Sequence, residues 1–97
     1  MLAPGRSFEY DGAMNIAADL SLYPLQTDYI PPIKALIERL RECPGVDVRE
    51  NAVSTQLFGP HDTVFAILER ESARVFSEGK AVLVIKMFCT DTVPATP

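Results

Sequence analysis

The sequence predicts an α+β domain of ferredoxin-like order, βαββαβ, with a four-stranded antiparallel sheet and two helices on one face. Three patterns predict it. Apolar residues alternate from Asn15 to Tyr23, two later segments repeat apolar residues at helical spacing, and the run Ala81 to Phe88 is rich in Val, Leu and Ile. A second and third strand fit between the helical segments, so both crossovers place their helices on the same side of the sheet if they keep the usual right hand.

In strand 1, Ile16, Ala18, Leu20 and Leu22 fall on one face, and Ala17, Asp19, Ser21 and Tyr23 on the other. Pro24 ends the strand because it cannot donate to a ladder. Ile30, Ile33, Leu36, Ile37 and Leu40 make the apolar stripe of helix 1, with Thr27 or Asp28 as cap and Cys43-Pro44-Gly45 as its stop. Val46 and Val48 open strand 2, and Val53 to Phe58 is expected to form strand 3, joined to it by a hairpin near Glu50-Asn51. Gly59 to Asp62 reads as a turn into helix 2, capped by Asp62, with Phe65, Leu68, Val75 and Phe76 as its buried stripe and Gly79 as its end. The last strand, Ala81 to Phe88, is expected to be buried on part of both faces.

With 97 residues, 47% hydrophobic and 23% charged, the chain has room for one domain. Residues 1–13 read as a flexible N-terminal extension, 14–89 as the ligand-binding domain and 90–97 as a disordered tail. A domain this small buries only a little over ~60% of its unfolded surface, so self-association as a homodimer or homotetramer is expected. The net charge of -4, with scattered Lys and Arg, argues against nucleic acid. Cys43 and Cys89 form no CxxC or Cys/His set, so they read as free thiols and no metal is expected. No apolar run approaches the ~20 residues of a membrane span, and no signal-peptide pattern precedes the domain. A cytoplasmic protein is expected.

The candidate site residues are polar or aromatic groups in otherwise apolar strands. A hydroxyl left without a partner in such a run costs roughly 1 to 3 kcal/mol, so Ser21 and Thr55 each need an acceptor in the fold or on a ligand. Asp19 is a mid-strand carboxylate, either solvated or facing a pocket where it accepts from an amidine-like edge or offsets a cation. Ser21 and Tyr23 share its face. Ser54 and Thr55 are expected to point to opposite faces of strand 3, so only one of them contacts a ligand. Phe58, Phe65 and Tyr23 offer flat apolar surface, although Phe65 also has the spacing of a core residue. His61 beside Asp62 would suggest acid-base chemistry only with a nucleophile or substrate nearby, and neither is visible. No phosphate loop, GxSxG, HExxH or paired-carboxylate motif is present.

The segments Ser21-Leu22-Tyr23-Pro24-Leu25, Thr27-Asp28-Tyr29-Ile30, Ile33-Lys34 and Ser54-Thr55, with Gly59, Asp62, Val64 and Phe65, resemble in order and spacing a repeat of the YkoF-like thiamine-binding proteins and their single-domain relatives. The resemblance covers about 14 to 88. It implies a ferredoxin-like domain that pairs through its sheet and binds thiamine or its hydroxymethylpyrimidine moiety for salvage, transport or sensing, without catalysis or a further cofactor. It implies ligand roles for Asp19, Ser21, Ser54 and Thr55 and favours Thr55 as the ligand-facing member of its pair. Where the family often carries a charged residue before the glycine, this chain has Phe58. YkoF-type chains hold two repeats and this one holds a single repeat, so copies are expected to associate. The alternatives are a small dimeric enzyme of the cofactor-free oxygenase or isomerase kind, using His61 and Asp19, and a module that only oligomerises or regulates a partner.

Overall fold

The computed structural model describes residues 14–90. The elements run β1 (Asn15–Pro24), α1 (Ile30–Arg41), β2 (Asp47–Glu50), β3 (Thr55–Pro60), α2 (His61–Glu78) and β4 (Ala81–Cys89). They form one antiparallel sheet of order β2-β3-β1-β4, the expected ferredoxin-like arrangement. The extension at 1–13 lies outside the described residues, as does the tail beyond Thr90.

Alternation in β1 sets the core. Ile16, Ala18, Leu20 and Leu22 pack with Leu57 of β3, Leu36 and Leu40 of α1, and Val64, Ile67, Leu68 and Val75 of α2. Leu40, Leu57 and Val64 are sealed from solvent. The register carries the second face of β1 across the sheet: Ala17 sits between Phe58 and Phe88, and Asp19 between Gln56 and Lys86. These residues share the helix-free face, because directly opposed residues of neighbouring strands point the same way.

Several local expectations are corrected. β3 starts at Thr55, two residues later than expected, because the Asn51 side chain folds the preceding residues into a turn; Ser54 therefore precedes the strand. Helix α1 starts at Ile30 behind Tyr29, and neither Thr27 nor Asp28 caps it. In α2 the strand runs straight into the helix at Pro60, and Asp62 lies in the first turn instead of capping it, its Oδ1 accepting from the Thr63 amide at 2.7 Å. The buried stripe of α2 is Val64, Ile67, Leu68, Glu71 and Val75, while Phe65 and Phe76 are exposed. Their spacing is helical but one step off the stripe that faces the sheet. β4 is an edge strand and is largely exposed in the single chain, including Val82, Val84, Met87 and Phe88. Gly59 is demanded by packing: a Cβ there would stand 2.8 Å from Val46 Cγ1 and 3.0 Å from the Gly45 carbonyl. Gly45 makes that approach possible by turning with φ +84°.

Candidate functional site

The unequal lengths of β1 and β3 create a cleft beside α1. β1 continues to Pro24, but its last pair with β3 is Leu20 with Thr55, while its pairing with β4 runs on to Pro24. Past Leu20 the β3 side of β1 is therefore a gap, walled by α1 and by the loop 51–54. Its volume is about 490 Å3, within the range of small-molecule sites. Leu20, Leu22, Ile33, Leu36 and Ile37 make an apolar wall, and Tyr23 and Tyr29 stand at it as aromatic groups.

Main-chain groups also point into this gap. The Met14 carbonyl accepts from His61 N, while the Asn15 carbonyl accepts from Thr90 N beyond β4. Successive residues of a strand address opposite neighbours. The N–H and C=O of Leu22 thus lie on the β3 side of β1, one step past the end of that ladder.

The loop is built by Asn51. Its Oδ1 accepts from Val53 N at 3.0 Å, Ser54 N at 2.9 Å and Ser54 Oγ at 3.3 Å, and its own N–H donates to the Ser54 carbonyl at 3.0 Å. From β1, Ser21 Oγ donates to the Val53 carbonyl at 3.3 Å and ties the loop across the gap. Arg41 of α1 pairs with Glu50 at the end of β2 and holds that carboxylate at the cleft wall. The hydroxyls of Ser21 and Ser54 thus serve the loop.

Thr55 is different. It is only 7% exposed, lines the cleft, and its Oγ1 has no hydrogen-bond partner among the described residues. That oxygen is not sealed inside the protein, since among the described residues the one sealed side-chain oxygen without a partner belongs to Asp19. Thr55 points to the helix side of the sheet, beside Leu20, and offers a hydroxyl donor and acceptor to an occupant of the cleft.

The sequence-predicted residues divide into groups. Ser21, Tyr23, Ser54 and Thr55 line this cleft together. Asp19 and Phe58 lie on the helix-free face and do not; Phe58 is buried there, and Asp19 Oδ1 is buried without a partner among the described residues. Phe65 lies on the exposed side of α2, its ring 4.6 Å from that of His61. His61 and Asp19 belong to different elements and neither lines the cleft. Sequence reasoning missed Asn51, Glu50 and Tyr29. The Asn51-to-Ser54 spacing between two strands is an Asx-turn signal that could have found the first of these.

The matches to known proteins follow this architecture. The model of the YKOF-related Family matches residues 15–91, from the first residue of β1 to just past β4. The chain belongs to the YKOF-related family. Among solved structures, a hypothetical protein from Methanocaldococcus jannascii is 21% identical, with 86% of this chain and 88% of that one covered and a TM-score of 0.69. A Streptococcus pneumoniae protein is 20% identical over 80% of this chain and 89% of that one, with a TM-score of 0.70. A Thermotoga maritima protein, named as a candidate thiamine biosynthesis/salvage protein, is 13% identical over 75% of this chain and 81% of that one, with a TM-score of 0.68. At these identities the likeness is one of fold. No curated protein matches this family member by sequence. No helix among the described residues is long and apolar enough to cross a membrane, and they hold no cluster of metal-ligating side chains.

Proposed function

We propose that the chain binds thiamine or its hydroxymethylpyrimidine moiety in the β1–α1 cleft, without chemical conversion, for salvage, transport or sensing. The observation that carries this reading is Thr55. Its hydroxyl opens into the cleft from an otherwise buried residue and has no protein partner among the described residues, so it is free to exchange water for a donor or acceptor on a ligand edge. The rest of the cleft suits the same molecule. An aminopyrimidine is flat and carries donors and acceptors on its rim, matched by the Thr55 hydroxyl, the main chain of Leu22 and the rings of Tyr23 and Tyr29. A thiazolium cation is favoured by the tyrosine faces and by the Glu50 carboxylate. Membership of the YKOF-related family and the salvage name carried by the Thermotoga maritima structure support the choice of ligand.

The same reading includes an even-numbered homo-oligomer. β4 is nine residues long and, among the described residues, is hydrogen-bonded to a neighbour along one edge only. Val82, Val84, Ile85, Met87 and Phe88 are exposed along it. A long apolar edge strand of this kind pairs readily with another copy, and a small domain gains much from the cover. Calorimetric titration with thiamine and with hydroxymethylpyrimidine, beside a screen for product formation, tests the functional reading. Saturable binding with no turnover is expected; turnover of either compound, or no binding of either, rejects it.

A further inference from the structure

A second cleft, of about 390 Å3, lies on another flank of α1, between the start of that helix, the end of α2 and the start of β4. Three of the chain's nine Lys and Arg side chains line it, Arg39, Arg74 and Lys80, against the carboxylates of Asp28 and Glu78. For a chain of net charge -4, this is a local excess of positive charge.

Arg39 is the anchor. Its Nε donates to Glu71 Oε1 at 2.6 Å, and Arg70 Nε donates to Glu71 Oε2 at 3.1 Å. Glu71 is buried, so its charge must be compensated, and both of its oxygens already have a cationic donor. Arg70 is held more firmly protonated than usual by the Cys43 sulfur and by Glu71, which accept from it. One N–H of Arg39 is therefore spent on Glu71, and its two Nη groups have no protein acceptor among the described residues. With the side chain 20% exposed and Nε fixed, this guanidinium presents its remaining donors in a set orientation, as bidentate capture of an oxyanion requires.

The other two cations are weakly engaged. Arg74 reaches only Glu78, at 4.0 Å and in solvent, and Lys80 forms no ion pair among the described residues. Such an exposed pair yields readily to a competing anion. The main chain contributes less than is usual at a helix start, since Pro31 and Pro32 occupy the first turn and carry no N–H. An anion here is held by side chains. Leu22 and Val75 add apolar surface for an organic body.

We propose that this cleft is a binding site for a small organic phosphate, its oxygens on Arg39, Arg74 and Lys80 and its body against Leu22 and Val75. Asp28 and Glu78 in the lining and Glu71 on Arg39 offset much of the positive charge, so the preference for phosphate rests on geometry. The three oxygens of a phosphate reach the free donors of Arg39, Arg74 and Lys80 together, displacing Glu78, where the two oxygens of a carboxylate reach fewer. The test is titration of the full-length isotope-labelled chain with phenyl phosphate, and with benzoate as the carboxylate arm, read by amide NMR shifts. Phenyl phosphate at millimolar concentration is expected to give saturable shifts at residues 25–28 and 78–81. The double variant Arg74→Ala/Lys80→Ala, which changes only exposed side chains, should weaken it roughly tenfold with an unchanged melting temperature. Thr55→Val should leave phenyl phosphate binding as it is, which keeps this site separate from the thiamine reading. The proposal is overturned if no saturable shift appears, if the double substitution leaves the affinity unchanged, if Thr55→Val abolishes binding, or if benzoate binds equally well.

Discussion

Replacing Thr55 by valine separates binding from folding, because the two residues have nearly the same shape and differ by the hydroxyl alone. In the free chain Thr55 is 7% exposed as a residue, and its hydroxyl, open to the cleft and without a protein partner among the described residues, contributes little to the fold. Its replacement by a methyl group should leave stability unchanged or raise it by up to about 1 kcal/mol, and valine suits a strand. For a domain of this size 1 kcal/mol corresponds to roughly 4–8 °C in melting temperature. In the complex the same change removes one hydrogen bond, worth roughly 0.5 to 1.5 kcal/mol, a two- to about tenfold loss of affinity. Calorimetric titration with thiamine and hydroxymethylpyrimidine, paired with thermal melts of the same samples, reads both quantities. The expected outcome is weaker binding with equal or higher melting temperature. Unchanged affinity, or a fall in melting temperature that accounts for the binding loss, would refute the assignment of Thr55 to the ligand.

Three further outcomes are expected. Asn51→Ala removes the acceptor of three hydrogen bonds that shape the cleft wall, so thiamine affinity should fall several-fold while the core stays intact, seen as unchanged amide exchange in β1 and β3. Leu57→Ala, in a sealed position between both helices and β1, should cost about 2–5 kcal/mol in denaturant unfolding. Ile85→Lys places a charge in the middle of the β4 edge and should shift sedimentation toward the monomer without altering far-UV dichroism; an unchanged oligomer would remove β4 from the interface.

The element order was legible because each element carries one dominant period. β1 alternates strictly, and its apolar half is the half that packs under the helices. The misreadings arise where two signals compete. Val53 and Ser54 look like strand residues by type, but the Asn51 carbonyl captures their amides and delays β3 to Thr55. Phe65 and Phe76 fit a helical stripe, yet small Val64 and charged Glu71 take the buried positions, the latter because two arginines satisfy it. Ser21, Tyr23, Ser54 and Thr55 were legible as a group from polar residues in apolar context. That Asp19 shares a strand face with Ser21 and Tyr23 yet stays out of the cleft was not, because the gap depends on where β3 stops, which strand periodicity does not encode.

The central claim is that the ligand enters between β1, α1 and the loop 51–54. Amide shift mapping of the labelled full-length chain with hydroxymethylpyrimidine tests it most directly. Saturable shifts confined to residues 20–24, 29–37 and 50–55 are expected. Shifts centred instead on Asp19, Phe58 and Phe88 of the helix-free face, or the absence of any saturable shift, would contradict it.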